Sequence, residues 1–185
     1  MKKLLLTMLM IAVVSGCDSQ KKEAKFEGVP SGKKDYIAQG VKYLNPSDVQ
    51  KAVQSFDLAI RQEPTNVQNY MVLGEVYLRL KEYARAVDTF TAATRIAPND
   101  GEVFYFLGVS KALKSKIEKT PKAAEDSFKE AIAATQKSVE IFMNQKNDKK
   151  FRQSVALLKS LTQGGEVKAT AQSSVSDILP QPEQQ

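Results

Sequence analysis

The chain has no histidine and only one cysteine among its 185 residues. Without histidine, an imidazole general base, a Ser-His-Asp triad and a histidine-ligated metal site are excluded within this chain. One cysteine cannot form an intrachain disulfide, and it cannot build a zinc site that needs several thiolates. We therefore predict that the protein is not an enzyme and that it holds no metal and no cofactor.

Long apolar runs are also scarce, and the clearest one stands at the N-terminus. Residues 4–14 are apolar except for Thr7, and they follow the basic residues Lys2 and Lys3. This run is too short to span a bilayer, which takes about 20 residues, and it fits the central region of a secretory signal. The sequence therefore predicts that residues 1–16 are a signal peptide and that the chain is exported.

Beside these absences, the sequence repeats itself at an offset of 34 residues. The residues Tyr36, Gly40, Tyr43, Ala52, Phe56, Ala59 and Pro64 recur without a gap as Tyr70, Gly74, Tyr77, Ala86, Phe90, Ala93 and Pro98. A period of this length is typical of helix-turn-helix repeats. Stacked helix pairs form a curved surface that binds other molecules more often than it carries an active site.

The second copy resembles a tetratricopeptide repeat. Counted from Val67 as position 1, it carries Tyr70, Leu73, Gly74, Tyr77, Ala86, Phe90, Ala93 and Pro98 at positions 4, 7, 8, 11, 20, 24, 27 and 32 of that family's pattern. Tyrosine replaces the family's usual tryptophan at position 4. Gly74 and Ala86 are small where the two helices cross, and Pro98 helps to end the second helix. The resemblance implies an all-α solenoid of three repeats plus a C-terminal capping helix.

The other repeats follow the pattern less closely. In the first, Gln39 stands at the place of Leu73, and Ser47 is a plausible N-cap of the second helix. In the third, the small-aromatic-small triplet returns four residues late, at Ala124, Phe128 and Ala131. We therefore predict a longer loop over 115–119, closed by Thr120 as N-cap and Pro121 as first helical residue, and a last helix that runs to about Gln145.

Residues 14–17, Val-Ser-Gly-Cys, resemble a bacterial lipobox. The resemblance implies cleavage before Cys17 and attachment of acyl chains such as palmitate to it. Several chains anchor a protein stably, because each buried methylene contributes ~0.8 kcal/mol. An ordinary signal peptide with a chance cysteine is the alternative. We expect a lipid-anchored, extracytoplasmic protein, on the periplasmic face in a Gram-negative cell, and Asp18 resembles a signal that favours the inner membrane.

These observations divide the chain into four parts. We predict a signal peptide at 1–16, a lipidated cysteine and flexible linker at 17–32, a repeat domain at 33–162 and a disordered tail at 163–185. Within the domain, the repeats are expected at about 33–66, 67–100 and 101–138, with the capping helix at 148–161.

In tetratricopeptide proteins, the first helix of each pair lines a concave groove, mainly through positions 2, 5, 9, 12 and 13. The resemblance carries this lining onto Lys34, Ile37, Val41, Leu44, Gln68, Met71, Glu75, Leu78, Arg79, Tyr105 and Val109. Most of these residues are apolar, which suits an apolar or amphipathic segment of a client protein. The alternative is that several of them belong to the core or are covered by the chain's own terminal segments.

Two functions fit this layout. The first is a membrane-anchored scaffold or assembly factor that holds a client protein in the concave groove, in the bacterial cell envelope. The second is a structural subunit of a permanent pilus, secretion or peptidoglycan complex that uses its outer face or last helix. Nucleic acid is not an expected partner, since the chain is predicted to be exported and its basic residues are not interleaved with stacking aromatics.

Overall fold

The computed structural model describes residues 35–44 and 48–163 of the chain. Within them it has helices α1 (Tyr36–Lys42), α2 (Val49–Gln62), α3 (Val67–Arg79), α4 (Tyr83–Ile96), α5 (Gly101–Ser115), α6 (Pro121–Asn144) and α7 (Asp148–Thr162), and no strand. The expected class, an all-α solenoid of three helix pairs and one further helix, is confirmed. The predicted signal peptide, the linker and the tail beyond Gln163 lie outside the described residues.

The first two helix pairs cross in the same way. A Cβ atom on Gly40 would lie 2.5 Å from Phe56 Cε1, and one on Gly74 would lie 2.5 Å from Phe90 Cζ. Both rings are fully buried. Each glycine therefore leaves space that the phenylalanine of its partner helix fills. The 34-residue period of the sequence corresponds to the repetition of this packing contact.

The third pair crosses differently. The atom nearest to a Cβ on Gly108 would be Thr135 Oγ1, not an aromatic ring. Ala131 is fully buried, whereas Ala124 and Phe128 are only partly buried. The late triplet therefore does not place Phe128 opposite Gly108 as Phe56 and Phe90 stand opposite Gly40 and Gly74. Helix α6 is 24 residues long. It approaches Gly108 of α5 at Thr135, seven residues after Phe128 of the triplet.

The ends of the last helices follow local sequence signals. Thr120 Oγ1 accepts a hydrogen bond of 3.2 Å from the backbone N–H of Ala123, and Pro121 is the first residue of α6, as predicted. Because α5 ends at Ser115, the loop before the Thr120 cap falls at 116–119 and starts one residue later than expected. Asn147 caps α7 in the same manner as Thr120 caps α6, through the backbone N–H three residues on.

The first repeat is the shortest of the three. Helix α1 has seven residues, and the Asp35 carboxylate caps it by accepting a 2.8 Å hydrogen bond from the backbone N–H of Ala38. Gln39, at the place of Leu73, is exposed. The turn at 45–47, with Ser47 as expected N-cap, lies outside the described residues, and Asp48 precedes α2. The first pair therefore contributes less apolar surface to the core.

The core consists of two clusters. The larger one joins residues from α2 to α6, with Phe90 and Phe106 stacked at a centroid distance of 5.5 Å. The smaller one brings Leu157 and Leu161 of α7 against Val109 of α5 and its neighbours. Helix α7 therefore buries its apolar side on the third pair, which is how a solenoid covers an exposed end.

Candidate partner-binding surface

Helices α3, α5 and α7 contact one another in that order along one side of the solenoid. We call the surface of α1, α3 and α5 that carries the predicted groove residues the inner face. Lys34, the first of these residues, lies outside the described part of the chain. The other ten fall into an accessible group and a buried group.

The accessible group holds seven residues. Ile37, Val41, Leu44, Leu78 and Tyr105 are partly buried, and Gln68 and Arg79 are exposed. The apolar members pack one side against the core and keep the rest of their surface at the solvent boundary. This group combines apolar side chains with the polar Gln68 and Arg79, a composition that fits protein–protein contact.

The buried group consists of Met71, Glu75 and Val109, which are only 5%, 2% and 1% exposed. Met71 belongs to the larger core cluster, and Val109 packs with Leu157 and Leu161 of α7. These side chains cannot reach a client unless neighbouring helices move. We therefore exclude them from the partner-binding surface. They fit the alternative given by the sequence, in which some predicted groove residues belong to the core or are covered by the chain itself.

Helix α7 is held against α5 by polar contacts as well. Lys150 Nζ lies 2.6 Å from Glu102 Oε1, and both side chains are 25% exposed. Ser138 Oγ of α6 donates a 2.7 Å hydrogen bond to the Gly101 carbonyl and lies 2.8 Å from Ser154 Oγ of α7. Both hydroxyls are fully buried. The end of the inner face at α5 is therefore closed by the chain itself.

Sequence reasoning did not find this serine contact. The signal was present, because Ser138 stands four residues before Phe142 and Ser154 three residues before Leu157, each on the apolar face of its helix. A small polar residue on an apolar helix face indicates a close helix approach with a buried hydrogen bond. Reading only the apolar residues of each face hides such positions.

Two lysines in the last turns of α5 form ion pairs within the domain. Lys111 forms an ion pair with Glu130, and Lys114 forms one with Glu118. The hydrogen bond from Lys114 lowers the pKa of Glu118 below its usual value. These lysines are therefore engaged in internal pairs, which leaves the end of α5 less basic than its sequence indicates.

One carboxyl between α2 and α4 is partly desolvated. Burial raises the pKa of Asp57, while the positive charges of Arg61 and Arg85 oppose that shift. Burial and the nearby Asp57 charge also raise the pKa of Tyr77, whose ring lies 5.7 Å from the Arg85 guanidinium. These shifts predict that the stability of the domain depends on pH.

Across residues 35–44 and 48–163, no group of three or more acidic, cysteine or histidine residues is placed to hold a metal ion. In the same ranges no helix has the length and apolar character needed to cross a bilayer.

A family model described as tetratricopeptide repeat matches residues 43–108, from the residue that follows α1 into α5. A search of the curated proteins found no match.

Among solved structures, the chain is similar to the RS-1 MamA ArsTM double mutant, with 24% identity, a TM-score of 0.45 and coverage of 72% of this chain and 78% of that one. It is also similar to MamA from residue 41 onward from Desulfovibrio magneticus RS-1, with 19% identity, a TM-score of 0.40 and coverage of 71% and 76%. The matched family model and the repeated helix crossing agree on one assignment. Residues 43–108 therefore form tetratricopeptide repeats, a fold that typically mediates protein–protein interactions.

Proposed function

We propose that this protein is a lipid-anchored scaffold of the bacterial cell envelope that holds an apolar or amphipathic segment of a client protein on its inner face. The contact surface consists of the accessible inner-face residues of α1 and α3, with Tyr105 at its border. The observation that carries the proposal is the partial exposure of Ile37, Val41 and Leu78, three aliphatic side chains on one face.

The closed end of the inner face favours a short client segment. Because α7 covers Val109 and the Lys150–Glu102 pair borders α5, the accessible part is limited to the first two repeats. A helix of two or three turns, about 10–15 Å long, would cover two neighbouring helices packed 8–10 Å apart. Arg79, exposed at the C-terminal end of α3, supplies a positive charge that favours an acidic residue on the client.

The anchor part of the proposal rests on the lipobox resemblance at Cys17 and on the apolar run before it. A tethered domain meets membrane-bound clients at a raised effective concentration, so a modest inner-face affinity is sufficient. Growth with labelled palmitate tests this step directly. Wild type should carry the label and partition with membranes, and Cys17→Ser should do neither. Equal membrane partition of both proteins would reject the lipid anchor.

The inner face is tested with two matched double variants. Val41→Gln/Leu78→Gln changes the accessible part of the inner face, and Val87→Gln/Leu58→Gln makes the same exchanges at partly buried positions of α4 and α2. Each polar exchange removes the transfer energy of an aliphatic side chain that a client would bury, about 1–2 kcal/mol, or a tenfold loss of affinity per site. Circular dichroism checks that both variants remain folded.

Crosslinking in intact cells, followed by affinity purification from membranes, then compares the two variants with wild type. A client lost with Val41→Gln/Leu78→Gln and retained with Val87→Gln/Leu58→Gln would support binding at the inner face. The reverse pattern would support the permanent-complex function, in which the outer face makes the contacts. Retention by both folded variants would reject the inner face as the binding surface.

A further inference from the structure

A polar cavity of about 330 Å³ lies where the start of α1, the end of α2 and the start of α3 meet. Asp35 and Tyr36 line it at the start of α1, Gln62 and Glu63 at the end of α2, and Asn69 in the first turn of α3. It lies where the described chain begins, and 34 residues precede it. It is separate from the accessible residues of the inner face except for Ile37, which borders both.

The second repeat has apolar residues where this cavity has polar ones. At the 34-residue offset, Gln62 corresponds to Ile96 and Asn69 corresponds to the fully buried Val103. The corresponding place in the second repeat is therefore lined by apolar side chains, whereas this cavity presents polar groups, among them Asn69, whose Nδ2 donates a 2.9 Å hydrogen bond to the Ala59 carbonyl. Polar walls suit a segment with hydrogen-bonding backbone groups.

The Tyr36 hydroxyl supplies an independent sign that the cavity has an occupant. Tyr36 is only 4% exposed, and within the described ranges its Oη atom is buried and has no hydrogen-bond partner. A buried hydroxyl without a partner is costly, so native proteins almost always provide one. The missing acceptor must therefore come from a group outside the described residues.

Tyr70, the equivalent tyrosine of the second repeat, identifies the kind of acceptor. Its hydroxyl donates a 3.0 Å hydrogen bond to the carbonyl of Pro64, six residues upstream. Pro30 stands six residues upstream of Tyr36. Helix α1 begins at Tyr36, whereas α3 begins three residues before Tyr70. The chain therefore enters the two helices differently, so the acceptor for Tyr36 can be a backbone carbonyl near Pro30 rather than that of Pro30 itself.

We propose that residues 28–34 of this chain dock in the polar cavity and that one of their backbone carbonyls accepts the Tyr36 hydroxyl. Residue 34 adjoins the cavity residue Asp35 in the chain, so this segment reaches the cavity without a long connection. Docking there leaves residues 18–27 as the tether of the proposed anchor.

The test measures what the Tyr36 hydroxyl contributes in three purified full-length backgrounds. These are wild type, a chain with residues 28–32 replaced by five serines, and one with the same residues replaced by five glutamates. Serines keep the backbone and its carbonyls, whereas glutamates are repelled by the Asp35 and Glu63 carboxylates that line the cavity. Tyr36→Phe is introduced into each, and Tyr70→Phe is the matched control.

We expect Tyr36→Phe to lower the folding equilibrium constant about fivefold in wild type and in the serine chain, and not at all in the glutamate chain. Tyr70→Phe should cost about fivefold in all three, because its acceptor does not move. A neutral Tyr36→Phe in wild type would overturn the proposal, since the purified chain contains no other occupant. An unchanged cost in the glutamate chain would overturn it as well.

Disulfide trapping gives a second, structural readout in the Cys17→Ser background. Gly32→Cys is paired with Asn66→Cys at the cavity, or with Asp100→Cys, which occupies the equivalent position one repeat later. A disulfide requires Cα atoms within about 7 Å, so only the cavity pair should close rapidly. Equal closure rates for both pairs would contradict docking, whatever the result for the inner-face client.

Discussion

Replacing Gly74 with alanine should destabilise the domain, although alanine is the better helix former. A Cβ at this position would lie 2.5, 2.7 and 2.8 Å from three carbons of the Phe90 ring. Ordinary carbon–carbon contacts are about 3.5–4.0 Å, so the ring or the helix must move by about 1 Å. Phe90 is fully buried and stacks on Phe106 at 5.5 Å, which leaves the ring little room.

The magnitude follows from two opposing terms. Overpacking a rigid core site costs up to about 3 kcal/mol. Alanine regains about 1 kcal/mol over glycine in a helix interior. The net loss for Gly74→Ala is therefore about 2 kcal/mol, which for a domain of this size lowers Tm by roughly 8 °C.

Urea denaturation followed by circular dichroism at 222 nm measures this loss. Ala133→Gly, at an exposed position inside α6, gives the helix-propensity term alone and should cost about 1 kcal/mol. Phe90→Leu removes the ring that the new methyl meets. The double variant Gly74→Ala/Phe90→Leu should therefore be more stable than the sum of the two single losses predicts. A Gly74→Ala protein as stable as wild type, or additive losses in the double variant, would refute the packing argument.

Three further outcomes are expected from the same unfolding assay. Thr120→Ala should cost about 1 kcal/mol, because it removes the N-cap of α6, and Thr120→Ser should restore most of it. Ser138→Ala should cost about 2 kcal/mol, because it leaves the Gly101 carbonyl and the Ser154 hydroxyl buried without this partner; a neutral result would mean that water replaces it. Asp57→Asn should stabilise the protein at pH 7, because burial raises the carboxyl's folded pKa above its unfolded value and ionisation then disfavours folding. That gain should shrink as the pH falls toward 4 and the wild-type carboxyl takes up its proton; a constant gain would contradict the desolvation argument.

Local signals predicted individual helix ends well. Thr120 and Pro121 start α6 as expected, because an N-cap side chain and a proline act on backbone groups within one turn. Asn147 likewise precedes α7 at the predicted place. Such contacts join residues only three positions apart, so they can be recognised without knowledge of the tertiary structure.

The register of the third helix pair could not be predicted in the same way. The sequence pattern pointed to Phe128, but the residue that faces Gly108 is Thr135. Both helices of this pair are longer than those of the first, and a longer helix can slide along its partner without breaking its own hydrogen bonds. Which residues meet is decided by the fit of the two surfaces, since a residue's side chain can be placed on a helix face from sequence but not opposite a particular neighbour.

The predicted partner surface divides for the same reason. Of the predicted groove residues, Ile37 and Leu78 are partly exposed, whereas Met71, Glu75 and Val109 are buried. Position 9 of the pattern is partly exposed in the first repeat, at Val41, and buried in the third, at Val109. The difference comes from α7, which covers α5 and has no counterpart over α1 among the described helices.

By itself, the sequence determined the all-α repeat architecture, the glycine-to-phenylalanine crossings of the first two pairs and the local starts of α6 and α7. Those features depend on a fixed period and on contacts within a turn or within one hairpin. Only the tertiary structure decided where α5 and α6 cross, which part of the inner face stays accessible and that Tyr36 is buried beside a polar cavity. The burial of a side chain depends on which helix packs against it, and that helix can be far away in the sequence. Lys150 of α7, for example, contacts Glu102 of α5 across 48 residues.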